Sequence, residues 1–162
     1  CDDPVVYLEH KDIWLMEGEV DTSASGSFGK ANIRRTGDDV TIVSWSNTAN
    51  LCVKAAEALA KDGIEAEVID LVSLWPWDKS AVLGSVAKTG RLVVAHESVA
   101  VTGFGAEVVA TVAQHSTLKT PPKRLGSPRG LIAYAPNLED QMRVTAEMIA
   151  NAAKKTMEME TT

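Results

Sequence analysis

The chain has 162 residues, 45% of them hydrophobic and 23% charged, with a formal net charge of -6. That balance suits one domain plus an extension around a real core, and it argues against a nucleic-acid surface, which needs clustered Lys and Arg. No apolar run is long enough to span a bilayer as a helix, and no signal-peptide pattern opens the chain.

In chain order, residues 4–10 (PVVYLEH) read as a short apolar strand standing apart from the rest of the chain. The stretch Glu17–Gly29, with Ser23, Ser25, Gly26 and Ser27, has the composition of a linker or long surface loop. Lys30–Arg35 sets Ala31 and Ile33 between polar neighbours, as a half-buried edge strand does. After the turn Thr36–Asp39, Thr41–Trp45 is a buried strand that feeds a helix with Leu51, Ala55 and Leu59 on one face. Gly63 ends that helix, and Ile64–Leu71 returns to the sheet. Parallel strands need such a crossover, so this is a βαβ unit in an α/β domain.

Beyond Pro76, Asp78 is placed to cap a helix that runs through Val82, Leu83 and Val86 to Gly90. Arg91–Ala95 reads as a second fully buried strand, with a loop over His96–Gly103. Gly105–Gln114 reads as a helix with Ala106, Val109 and Ala113 inward. Pro121 and Pro122 precede a short strand at Lys123–Leu125, and Gly126–Pro136 is loop. The chain closes on a long helix, Leu138–Lys155, striped by Met142, Ala146, Ile149 and Ala153. The alternation predicts a three-layer α/β/α domain with a mostly parallel sheet of about five strands.

The chemistry-bearing residues are sparse. Cys1 and Cys52 form no disulfide framework or zinc pattern; Cys52 lies on a helix expected to be buried, and a reducing intracellular setting is expected. His10 and His115 have no ligand-spaced acidic or Cys neighbours, so no metal site is expected. Gly103-Phe104-Gly105 has phosphate-loop overtones, but Val108 stands where the third glycine belongs, so close helix–sheet packing is the plainer reading. His96-Glu97, at the expected carboxyl end of a strand, is placed either for proton transfer or for an interface. Trp75 and Trp77, flanking Pro76, serve either as partner anchors or as packing beneath the next helix. Glu139 and Asp140 complement the dipole of the final helix.

Several stretches, in order and in register, resemble one known family: DPVVYLEHK (Asp3–Lys11), GKANI (Gly29–Ile33), DVTIVSW (Asp39–Trp45), EVIDLVSLWPWD (Glu67–Asp78), KTGRLVVAHE (Lys88–Glu97), TGFGAEV (Thr102–Val108) and YAPNLED (Tyr134–Asp140). The chain resembles the transketolase C-terminal-type domain of the beta subunit of thiamine-diphosphate-dependent 2-oxo-acid dehydrogenases of the pyruvate, branched-chain and acetoin types. It departs from that pattern at Ile13-Trp14-Leu15, at Ser46 where a glycine is common, and at Pro128-Arg129 where the family has an acidic residue.

The resemblance implies that residues 1–28 are the tail of an upstream pyrimidine-binding domain with its linker, and that 29–162 form the transketolase C-terminal-type domain. It implies an assembly role in thiamine-dependent oxidative decarboxylation, with acyl transfer to a lipoyl arm. Thiamine diphosphate and Mg belong to the parent enzyme, and none is expected on this chain alone. No catalytic, cofactor or metal residue is therefore assigned. The implied partners are an alpha subunit and a second beta subunit in an α2β2 assembly, plus the dihydrolipoyl acyltransferase core. The candidate contacts are Glu139, Asp140, His96, Glu97, Trp75 and Trp77. The isolated chain is expected to be an inactive dimer, a piece of a longer protein of the bacterial cytoplasm or mitochondrial matrix. Two alternatives stand beside this: the terminal domain of a transketolase or deoxyxylulose-phosphate synthase, and a flavodoxin-like binding module.

Overall fold

A computed structural model describes residues 2–19 and 27–158. Cys1, and with it any pairing to Cys52, lies outside the described residues, as do Ser23, Ser25 and Gly26 of the expected linker. The elements are β1 (Asn32–Arg35), β2 (Val40–Ser44), α1 (Asn47–Lys61), β3 (Ala66–Asp70), α2 (Lys79–Thr89), β4 (Leu92–Val99), α3 (Gly105–His115), β5 (Lys123–Ser127), α4 (Pro136–Glu139) and α5 (Ala146–Glu158).

The five strands form one sheet in the order β1-β3-β2-β4-β5. β2, β3, β4 and β5 are parallel, and β1 is antiparallel on the edge. β2 and β3 are buried on every residue because helices cover both faces. On one face Cys52, Ala55 and Leu59 of α1 meet Ile149 and Ala153 of α5 over Val40, Ile42 and Val68. On the other, Val82 and Val86 of α2 and Val108 and Val112 of α3 pack on Val43, Ile69 and Val94. This is the three-layer α/β/α arrangement expected from the alternation.

Local chemistry sets the helix ends. Gly63 takes φ +77° just beyond α1, and Gly90 takes φ +70° at the end of α2. The Asp78 carboxylate accepts the Ala81 N–H at 3.0 Å and, from the stretch just ahead of β1, the Ala31 N–H at 3.2 Å. Burial pushes this carboxyl upward, but the bonds from Ser80, Ala81 and Ala31 and the charge of Lys30 outweigh it and hold it below its ordinary value.

Four expectations are corrected. Residues 4–10 form no strand: they run as exposed coil into a 3-10 turn at Lys11–Ile13, because no strand is alongside to pair with them. β4 does not stop at Ala95 but continues to Val99, shifting register so that Val99 pairs with Ser127. α3 centres its inward face on Val108, Thr111 and Val112; Val109 still packs half-buried against the core, but Ala113 is exposed, since valine buries more apolar surface than alanine. The long final helix is broken: α4 and a 3-10 turn (Asp140–Met142) precede extended Arg143, and Thr145 restarts the helix by accepting the Met148 N–H at 3.2 Å. The break lets Val144 turn into the core.

Candidate interface at the carboxyl edge of the sheet

β2 sends its crossover to one side, toward β3, while β4 lies on the other, so the carboxyl ends of β2 and β4 form the topological switch point of the sheet. A cleft of about 340 Å³ opens there, lined by Asn47 and Leu51 of α1, Glu97 of β4, and the run Asp140 and Arg143–Ala146 ahead of α5. The strand's period of two decides what reaches it. Val93, Ala95 and Glu97 face α1 and α5, whereas Val94 and His96 face α2 and α3. The adjacent pair His96-Glu97 therefore splits across the sheet, which removes the joint proton-transfer reading.

Glu97 enters a charged network. Its Oε2 lies 2.6 Å from Nε2 of His10. The other ring nitrogen of His10 accepts the Asp12 N–H at 3.1 Å, so Nε2 carries the proton that Glu97 receives. Asp12 in turn pairs with Arg143, whose guanidinium also lies 3.9 Å from Glu97. The Asp12 hydrogen bond, ahead of the opposing burial, raises the Arg143 guanidinium above its ordinary value, and the charges of Asp12, Glu97 and Glu139 act in the same direction. Asp140 lines the cleft beside Arg143, while Glu139 sits half-buried on the turn before it.

His96 is fully enclosed. Its ring stacks on Trp45 at 5.1 Å, and its Nδ1 meets the Ser98 carbonyl at 3.0 Å and the Ser98 hydroxyl at 2.8 Å. Nε2 has no partner. A methyl on Gly105 would come within 2.6 Å of Nε2, and one on Gly103 within 2.7 Å of Cε1. The glycines of the Gly103-Phe104-Gly105 stretch thus admit the histidine under the start of α3, the packing role read from the sequence.

The two tryptophans also part. Trp77 is only 5% exposed, packed beneath α2 and edge-on to Phe104, whereas Trp75 is 80% exposed. Other exposed apolar side chains also follow the carboxyl ends of strands: Val72 follows β3, Val101 follows β4, and Leu131, Ile132 and Tyr134 follow β5. The backbone here is strained as well. Ser46 after β2 (φ 56°), Val72 after β3 (φ 58°) and Thr102 after β4 (φ 65°) are the non-glycine residues at positive φ among those described. Ser46 stands at a position where the resembled family commonly has glycine, and its φ 56°, ψ -144° is a conformation that glycine adopts without penalty.

Sequence reading missed His10, Asp12, Arg143 and Asp70. His10 and Glu97 are 87 residues apart and Asp12 and Arg143 are 131, so no local pattern announces them. Asp70, at the carboxyl end of β3, is raised by burial against the lowering effect of the Val72 N–H and of Arg34, which bonds it at 3.2 Å. Burial likewise pushes the Cys52 thiol up to about 12, leaving it an inert core group. Among the described residues no cluster of three or more His, Cys, Asp or Glu is placed to hold a metal. What the edge presents is charged side chains around the cleft and exposed apolar ones on its loops.

The family described as "Transketolase, C-terminal domain" matches residues 29–149. The chain is 42% identical over 158 residues to the beta subunit of an acetoin:2,6-dichlorophenolindophenol oxidoreductase from Cupriavidus necator, covering 96% of this chain and 47% of that protein. It is 40% identical to the mitochondrial pyruvate dehydrogenase E1 beta subunit of Dictyostelium discoideum (95% and 45% covered) and 34% identical to the 2-oxoisovalerate dehydrogenase beta subunit of Bacillus subtilis (97% and 50%). The chain thus spans about half the length of these relatives. Among solved structures, a split-gene transketolase described as an inactive beta4 tetramer superposes with a TM-score of 0.77 at 24% identity, covering 88% of this chain and 46% of that one. That likeness is one of fold. The chain belongs to the transketolase C-terminal domain family.

Proposed function

Proceeding from that membership, we propose that this chain is the assembly half of the beta subunit of a 2-oxo-acid dehydrogenase, an oxidoreductase that decarboxylates its substrate on thiamine diphosphate and passes the acyl group to a lipoyl arm. The observation that carries the reading is the bared apolar carboxyl edge, where Val72, Trp75, Val101, Leu131, Ile132 and Tyr134 stand exposed and where Ser46, Val72 and Thr102 take positive φ. Large rings and aliphatic groups gathered on one edge suit a surface meant to be covered. In this reading Trp75 and the loop after β5 face an alpha subunit and a second beta subunit in an α2β2 assembly. Glu97, Asp140 and Glu139 offer carboxylates at the rim of the switch-point cleft to a basic patch of the acyltransferase core. His96 and Trp77 act from beneath, holding the loops rather than touching a partner.

Residues 1–28 belong, in this reading, to the end of an upstream unit that carries the cofactor's activating groups. In this reading the magnesium and the diphosphate are held by the rest of the parent enzyme. The relatives include bacterial proteins and one described as mitochondrial, and the setting proposed here is the bacterial cytoplasm or the mitochondrial matrix. Titration calorimetry of this chain with thiamine diphosphate and Mg is expected to give no binding heat, and tight binding would overturn the division of labour. Sedimentation of the isolated chain is expected to show a dimer that Trp75→Ser weakens; a monomer at high concentration would count against the interface.

A further inference from the structure

We propose that Leu71–Ser73 is a cocked turn and that the Asp70 carboxylate is the catch that holds it. β3 ends at Asp70, and the chain turns at once. The Ser73 N–H donates to the Leu71 carbonyl at 2.5 Å, closing a three-residue turn around Val72 at φ 58°. A γ-turn with a positive central φ is the rare and strained form, and a branched side chain suits it badly.

The partners of Asp70 supply what valine does not. One carboxylate oxygen accepts the Val72 N–H at 3.2 Å, and the other accepts an Arg34 N–H at 3.2 Å. Arg34 also donates to the Asn50 side-chain carbonyl at 3.2 Å, so the carboxylate is oriented by a pair of side chains from β1 and α1. Asp70 itself is buried. A bond from an N–H to a carboxylate and the penalty on a branched residue at positive φ are of the same order, so the catch decides the shape. All of these residues lie within the stretch that matches the transketolase C-terminal domain family.

The turn steers Trp75. Leu71 and Trp77 sit in one core cluster, and the Leu71 N–H bonds the Ser44 carbonyl at 2.9 Å, so both ends of the loop are fixed. What can change is the path between them, and Val72 sets the direction in which it leaves the sheet. Asp70 is thus a positioning residue for the Trp75 loop. Its bearing on association rests on the interface reading above; the catch does not, and it is tested with no partner present.

NMR of the whole 162-residue chain reads the turn directly. At positive φ the amide and α hydrogens of one residue lie close together, so Val72 is expected to give a strong cross-peak between them. Asp70→Ala should weaken that peak to the level of the extended residues of β3 and quicken Ser73 exchange about tenfold, while Val43 and Val94 exchange as before. The Ser73 N–H bonds Leu71 and not Asp70, so its response reports the turn itself. Val72→Gly removes the penalty, so in that background Asp70→Ala should alter Ser73 exchange by less than about twofold. Val72→Gly alone should raise the urea midpoint. A Val72 cross-peak that survives Asp70→Ala, equal quickening in both backgrounds, or no rise in midpoint with Val72→Gly would each overturn the proposal.

Discussion

At the amino edge of the sheet the turns are charged and closely seated, while at the carboxyl edge they are apolar and bent into costly backbone shapes. Lys88 bridges Asp38 at 3.2 Å and Glu67 at 2.7 Å, Arg35 meets Glu65 at 2.5 Å, and Lys154 meets Asp62 at 2.6 Å, all at the amino end. Lys119 crosses there to the Thr89 carbonyl at 3.1 Å and caps α2. No exposed large hydrophobic side chain lies in the described turns of that edge, and no non-glycine residue takes positive φ there. The opposite edge holds Ser46, Val72 and Thr102 at positive φ and bares Val72, Trp75, Val101 and the loop after β5. One edge is finished within the chain and can face water. The other keeps conformational energy and apolar surface that a neighbouring surface would absorb.

The sharpest way to break that contrast is to disturb the finished edge. A methyl on Gly37 would come within 2.4 Å of the Glu65 carbonyl oxygen, a backbone atom that cannot swing aside. Gly37→Ala is expected to cost about 2–3 kcal/mol in urea unfolding. Next in size is acid. Burial lowers the His96 pKa, aided by Arg124 and only partly offset by the Ser98 carbonyl. The unfolded chain then takes up a proton that the folded chain resists. Stability present above about pH 6.5 is therefore lost as pH falls toward the folded pKa, by at most about 1.4 kcal/mol per pH unit. Urea midpoints between about pH 7.5 and 5.5 should fall in the parent and stay flatter in His96→Gln, and exchange should quicken first at the start of α3.

Ser46→Gly sharpens the contrast from the other side. Relief of φ 56°, ψ -144° outweighs the added freedom of the unfolded chain, so a gain of about 1 kcal/mol is expected from thermal or urea unfolding. A loss would show that the serine is not strained. Trp75→Ser should do least, within about 0.5 kcal/mol of the parent, because the ring touches mostly solvent. Its effect should be seen in association rather than in folding.

Most of the architecture was legible in the residues. The buried runs read at Thr41–Trp45 and Arg91–Ala95 fall within a residue of β2 (Val40–Ser44) and of the start of β4 at Leu92, and the Asp78 cap and the left-handed glycines 63 and 90 stand where the local signals put them. The misjudged points were those where local signals tie. The stripe of Met142, Ala146, Ile149 and Ala153 fits one long helix, yet Val144 gains more by turning into the core, and Thr145 supplies the cap that permits a restart. The site was less legible still. His96-Glu97 looks like one feature, but once β4 runs on to Val99 the pleat sends the two side chains to opposite faces.

By itself, then, the order of amino acids determined the layer pattern, the helix ends and the family resemblance. Tertiary structure alone decided that Trp75 would be bare and Trp77 buried, that Glu97 would meet His10 and Arg143 meet Asp12, and that apolar surface would gather on one edge. Periodicity and capping act over a few residues and are written locally. Pairs 87 and 131 residues apart are brought together only when the sheet, with its fixed strand order, closes the loops between them.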